Sequence, residues 1–527
     1  MKYINKNNFK LLCLGLLTLA APACTDDFEG LNVDKGRISD ADLAKDGAEA
    51  AFLLPIMMNN IVVTGTGVQT QQNLQAESYA GYLEAPTAFI GNVNTMTYST
   101  KGIWAGSYDA STNNVMNNWL TMQKKGYDVK YPDLYAIGLI LKGMAGQRLT
   151  DTFGPYPYSK FGNTAEPKFD SPAEVYAGIF ADLEKAVAAL LAAEKADPAA
   201  DTKRFAKWDR STFKGDYLKW VKLANTIRLR MAMRISVVDP AKGKAEADKA
   251  LLPANGGVMD LSTGSFQVAA SATAVNPYFT MTNAWSDTRM SAAIITYLDG
   301  FKDSRLAVYA NPATHAPIAG TFRGIRPGIE KPADKKPYIN YSTFKVAEFA
   351  PVKIVDGAES YFLKAEGALR GWNVGGTAQS LYEEGIRASF TLNGAGGVDA
   401  YLNSTSTQAA YVDPANASLN SEPLTSNTVK WDEAGSFDNK LEKIITQKWI
   451  ALFPEGTEAW SEFRRTGYPA QYAIAFPTNP RLPKGTFIKR LTYPNLVASS
   501  SKAAYDAAVT AYLQGKDEPD IKFYWMK

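Results

Sequence analysis

The stretch QKWIALFPEGTEAWSEFRRTGYP (residues 447–469) crowds three acids, two arginines and five aromatic rings between breakers. Glu458 and Glu462 stand four apart, so a helix here places both carboxylates on one face. Two acids flanking a bond are all that most glycosidases require, so this pair is a candidate for catalysis. The structural reading is the stronger one: Thr457 caps the helix, Glu458 suits its positive N-terminus, Glu462 pairs with Arg465 and Gly467 ends it.

Helical patterning extends outward from this segment. In SPAEVYAGIFADLEKAVAALLAA (171–193), Ser171 reads as N-cap, Pro172 as first helical residue and Glu174 as the closing member of a capping box. Val175, Ile179, Leu183, Val187 and Leu190 then repeat at helical spacing. GDYLKWVKLANTIRLRMAMRIS (215–236) carries a stripe of Tyr217, Trp220, Ala224, Ile227 and Met231. Its Arg228, Arg230 and Arg234 read either as an anion site or as a solvated helix end matched to the dipole, and the second is favoured. SYFLKAEGALRGWNVGGTAQSLYEEGIRASF (360–390) reads as two helices around Gly375–Gly376, with Ala365, Gly367 and Gly385 small enough for a tight antiparallel hairpin. Such hairpins are tetratricopeptide-like, without a strict repeat. Strand signals are few, and residues 253–283 and 391–429 read as long loops. The expectation is an all-α single domain, because no Ser/Pro-rich or charged linker divides the 527 residues.

The N-terminus reads as an export signal: Lys2, Lys6 and Lys10 precede a short apolar run over residues 11–21. Ala21–Pro22–Ala23 fits ordinary signal cleavage, and small residues before Cys24 also fit a lipoprotein signal whose thiol is acylated. Cys13 leaves with the signal, so Cys24 becomes the sole cysteine and has no disulfide partner within the chain. A lipid thioether gives that thiol a use, and two or more acyl chains anchor a protein stably. The organisation expected is a signal at 1–23, a lipid-anchored tether at 24–45 and one domain at 46–527. Removing residues 1–23 takes three lysines and no acid, which leaves the 53 acids matched by as many bases. A neutral chain has no basic surplus for nucleic acid.

Catalytic chemistry is sparse. His315 is the single histidine, so no paired-histidine metal site exists, and no nucleophile elbow, phosphate-binding loop or dinucleotide glycine pattern appears. No catalytic residue, metal or cofactor is therefore assigned. Binding remains. Trp104, Tyr108, Val115 and Trp119 share helical spacing and read as core. NPYFTMTNAWSDTRM (276–290) places Asn276, Tyr278, Trp285, Asp287 and Arg289 close together in a long loop, the candidate ligand-binding set. A competing reading has Ser286 cap the next helix, with Trp285 stapled against Met290.

Several blocks are recognisable together: CTDDFEGLN (24–32), TDTFGPYPYS (150–159), residues 215–236, FLKAEGALRGW (362–372), LYEEGIRASF (381–390) and above all residues 447–469. They resemble the SusD/RagB family of outer-membrane nutrient-binding lipoproteins. Near the end, KRLTYP (489–494) stands where that family commonly has a double arginine. The resemblance implies an acylated, palmitate-bearing Cys24, and Asp26 and Asp27, with Glu29, as the signal for export to the cell surface. It further implies a lid on a SusC-like TonB-dependent barrel, capture of oligosaccharides or other nutrients without cleavage, and a SusD-like all-α fold with irregular ligand-binding loops. The alternatives are a surface glycoside hydrolase and a binder of peptides or other non-glycan nutrients.

Overall fold

The computed structural model describes residues 44–527 except 90–92, 100–104, 165–166, 200–202, 315, 332–336, 415, 477–478 and 484. The export signal, Cys24, Asp26 and Asp27 therefore lie outside the described residues, as do Trp104 and His315. The chain divides after Glu49, and every element below belongs to the unit from Ala50 to Lys527.

Helices carry the architecture: α1 (Leu53–Ile61), α2 (Pro132–Phe153), α3 (Pro172–Ala196), α4 (Tyr217–Arg234), α5 (Pro240–Leu251), α6 (Ala292–Gly300), α7 (Glu359–Leu369), α8 (Ala378–Asn393), α9 (Phe437–Leu452) and α10 (Gly456–Thr466). Successive helices pack as neighbours, α2 on α3, α3 on α4, α4 on α5, and α7 on both α8 and α9. The capping box opens α3 as the sequence predicts: Ser171 Oγ accepts from the Glu174 amide at 3.2 Å, and the Ser171 amide donates to Glu174 Oε2 at 2.7 Å. The hairpin α7–α8 also forms, with Thr377 as the cap of α8. Gly385 lets the two helices touch, because a Cβ there would lie 2.8 Å from the Phe362 ring.

Strands among the described residues make only two-stranded antiparallel ribbons: β1 (Leu83–Glu84) with β3 (Arg289–Met290), β2 (Phe266–Val268) with β6 (Val352–Val355), and β4 (Ala310–Asn311) with β5 (Thr343–Phe344). They pin long loops to the helical body. The loop expected over 253–283 contains β2, and the one over 391–429 holds a short helix at Val398–Leu402.

Two local expectations need correction. Glu455, not Thr457, caps α10: its carboxylate accepts from the Thr457 amide at 3.1 Å and the Glu458 amide at 3.4 Å. Thr457 is thereby released to accept from Arg148 at 2.9 Å. The arginines of α4 are neither a solvated helix end nor an open anion site. Arg228, Arg230 and Arg234 are buried, because neighbouring helices surround α4 on nearly every side.

Their charges are met from other helices. Arg230 Nε donates to Glu359 Oε1 of α7 at 2.8 Å, and Arg234 Nη2 lies 2.6 Å from both oxygens of Glu458 on α10. Arg234 also reaches Asp151 of α2 at 3.3 Å and Glu462 at 3.2 Å. Lys448 of α9 sits 3.2 Å from Glu462, and Arg465 bonds both oxygens of Glu366 at 2.7 and 2.6 Å. Burial alone would raise the Glu462 carboxyl, but Arg465, Lys448 and Arg234 hold it well below the usual carboxylate range. Gly467 ends α10 in the left-handed region at φ 82°, as the sequence predicts.

Desolvation makes such a network costly to build and costlier to break, since removing one member strands its partner's charge in low dielectric. Arg234→Met is expected to lower the unfolding free energy by about 3–5 kcal/mol in urea titration. A loss within about 0.5 kcal/mol, the range of an ordinary surface substitution, would show that the network does not hold the helices together.

Candidate ligand-binding surface

The loop that carries the candidate set is built in three steps. Asn276 starts a single helical turn, Pro277–Phe279, by accepting from the Tyr278 amide at 2.9 Å. A π-helical turn follows at Thr280–Ala284, closed by the Trp285 amide donating to Thr280 O at 3.0 Å. Ser286 then takes the left-handed conformation at φ 55°, and the chain enters β3. A π turn carries an extra residue per hydrogen-bonded loop and recurs at functional sites. Here it leaves Trp285 at the tip, 41% exposed.

The staple reading does not survive this geometry. The next helix, α6, starts six residues beyond Ser286 and is capped by Ser291, whose Oγ accepts from the Ala293 amide at 3.3 Å. Met290 is fully buried in β3, opposite Leu83 of β1.

Of the five candidate residues, Trp285 and the partly buried Asp287 face outward. The other three hold the loop from beneath. Asn276 Nδ2 donates to Ala350 O at 2.9 Å, and its amide donates to Glu348 O at 2.6 Å. These two bonds flank Phe349, a second exposed aromatic at 55% that sequence patterning does not single out. The Tyr278 hydroxyl donates to Glu77 and accepts from Gln72 Nε2 at 2.9 Å. Arg289 is buried, donating from Nε to Ile339 O at 2.7 Å and from Nη1 to Thr288 O at 2.6 Å. Burial pushes its guanidinium down to about 10, against the opposing pull of Asp287.

A second π-helical segment, Gln69–Glu77, lies against the loop. Gln69 Nε2 donates to Asp287 Oδ2 at 3.1 Å, and Asn73 Nδ2 donates to Glu77 Oε2 at 2.8 Å. Its polar side chains spell no motif, which is why sequence reasoning passes over it. Arg326 is likewise missed. It follows Ile325, whose amide donates to Met290 O at 2.9 Å, and its half-buried guanidinium lies 5.4 Å over the Tyr472 ring. Its Nε and Nη1 are buried without an acceptor in the described protein.

The paired acids flagged in the sequence are closed to substrate. Glu458 and Glu462 are 4% and 3% exposed and bound into the ion network. Among the described residues no cluster of metal-ligating side chains occurs, and no helix is long and apolar enough to cross a membrane.

The profile of one family, described as SusD-like, SusD and RagB outer membrane lipoprotein, matches residues 30–526. The chain belongs to the SusD-like family. Solved SusD-like structures agree with this. A chitin-binding SusD homologue from Flavobacterium johnsoniae shares 39% identity and superposes with a TM-score of 0.86, covering 90% of this chain and 98% of that one. A SusD homologue from Bacteroides vulgatus shares 32% identity with a TM-score of 0.85, over 92% of this chain and 99% of that one. A SusD-like protein from Bacteroides thetaiotaomicron shares 30% identity with a TM-score of 0.84, over 90% and 98% respectively. No curated protein sequence matches. The SusD-like scaffold is the helical body described above.

Glu77 under the Trp285 loop yields a pH test. Burial raises its carboxyl to about 7 from 4.5, although bonds from Tyr278, Asn73 and Gln72 pull it down. An acid whose folded pKa is raised binds its proton more tightly when folded. Its stabilising contribution is complete below about pH 4.5 and is lost as pH rises through about 7. From about pH 5 to 8 the wild type should therefore lose about 3 kcal/mol relative to Glu77→Gln. Parallel stability–pH curves for the two proteins would contradict this.

Proposed function

We propose that this SusD-like chain is a surface-exposed glycan-binding lipoprotein that captures oligosaccharides, chito-oligosaccharides foremost, and passes them to a SusC-like TonB-dependent barrel. The observation that carries the reading is an exposed tryptophan raised on a π turn and backed by a buried polar scaffold. A flat apolar ring beside a carboxylate suits a sugar, which offers one apolar face and a rim of hydroxyls. Trp285 stacks on the sugar, while Asp287 takes hydroxyl groups. Asn276, Tyr278 and Arg289 set the loop's position. The chitin-binding homologue at 39% identity supports chitin fragments as the first ligand class to try.

The organisation proposed with this function is an export signal at 1–23, acylation at Cys24, surface routing by Asp26 and Asp27, a tether to residue 45 and the binding domain from 46. The burial of Glu458 and Glu462 within the ion network favours binding over hydrolysis.

Trp285→Ala is expected to weaken binding of chitotetraose at least tenfold by calorimetry while leaving the melting temperature within about 1 °C, as an exposed side chain should. Unchanged affinity with a lower melting temperature would return Trp285 to a structural role. Chromatography of the mixture should recover the oligosaccharide intact, and shortened products would make the protein a hydrolase.

A further inference from the structure

A cleft of about 300 Å³ opens elsewhere on the molecule, between the helical run 106–124, the segments 157–164 and 167–169, and residues 494–501. Its chemistry is unusual for this chain. Asp109, Asn113 and Asn117 stand four apart and all line the cleft. The π-helical stretch Ala110–Met116 lies between the first and the last, and carries the turn that aligns them. The Asp109 carboxylate is partly buried, yet receives no hydrogen bond or cation from the described protein, and burial raises its pKa. The side-chain amides of Asn113 and Asn117 are exposed and make no bond within the described protein.

The rest of the lining is mostly apolar, with Thr164, Ser500 and Ser501 among its polar members. Phe161 is stacked on Tyr156 with centroids 6.2 Å apart and planes inclined by 18°, and Pro157 adds a second flat surface. Leu496 stands 69% exposed at the rim. Among the described residues no lysine or arginine lines the cleft. By contrast, a cavity of about 530 Å³ between α4 and α7 carries both Lys222 and Lys364. A cleft that offers a carboxylate, two free amides and flat apolar faces, without a cation, selects for hydroxyl and amide groups and against phosphate, sulfate or carboxylate.

We propose that this cleft is a second saccharide site, taking a neutral sugar unit independently of Trp285. Asp109 accepts from sugar hydroxyls, Asn113 and Asn117 bond hydroxyl or N-acetyl groups, and Phe161 with Leu496 covers the apolar face. The proposal rests on the glycan-binding reading only for the class of ligand.

Its test uses the purified protein, neutral tetrasaccharides (chitotetraose, cellotetraose, xylotetraose) and an acidic counterprobe, a hyaluronan tetrasaccharide, by calorimetry and saturation-transfer NMR. Wild type should titrate two sites for one neutral probe. Trp285→Ala should retain one, and adding Asp109→Asn with Asn113→Ala should weaken that one at least tenfold. Asp109→Asn with Asn113→Ala alone should leave the other site at wild-type affinity. Single-site binding abolished by Trp285→Ala would overturn this proposal and leave the first reading standing. Residual binding indifferent to Asp109→Asn with Asn113→Ala would also overturn it, as would preference of that site for the acidic probe. Silence of the wild type toward every neutral probe would remove both readings.

Discussion

Five helices of this protein meet around charges that have no access to water. Arg230, Arg234, Lys448 and Arg465 face Asp151, Glu359, Glu366, Glu458 and Glu462, and the partners come from α2, α4, α7, α9 and α10. Apolar contacts would tolerate small slides of one helix along another. Paired charges in low dielectric do not, because each must find its own partner within hydrogen-bond reach. The network therefore acts on register, and the apolar core around Trp220, Trp449 and Trp460 packs within the frame it sets.

That register reaches the Trp285 loop through short, traceable contacts. Arg148 of α2 donates to Glu455 and Thr457 at the start of α10, each at 2.9 Å. Gly456, next in line, runs so close to the π-helical segment Gln69–Glu77 that a Cβ would meet the Glu77 backbone at 2.5 Å. Glu77 holds Tyr278 from below and Gln69 holds Asp287 from the side. The exposed tryptophan thus stands on a column of buried polar bonds that ends in the ion network. A binding surface made of irregular backbone needs such support, because loops do not fix their own side chains.

Sequence patterning captured what depends on local rules. The capping box of α3, the α7–α8 hairpin and the Gly467 terminator all follow from neighbouring residues. It failed where distant partners decide. The Arg228–Arg234 group reads as a solvated helix end because nothing within α4 announces that acids from five other helices will meet it. Glu455 caps α10, and Thr457 instead accepts from Arg148, over three hundred positions upstream. Within the candidate site, an aromatic in a polar loop was visible, but its separation from Asn276, Tyr278 and Arg289 was not. All five are polar or amphipathic, and only tertiary packing sorts those that face water from those that hold the loop. The π turns were invisible for a related reason, since no residue type encodes them.

Every residue of α10 is buried, from Gly456 to Thr466, although it lies within the most recognisable stretch of the chain. The most recognisable part of the chain is thus sealed away from solvent, and any ligand must be met by other segments. A resemblance carried by α10 speaks for the chassis and is silent on what the outer loops hold.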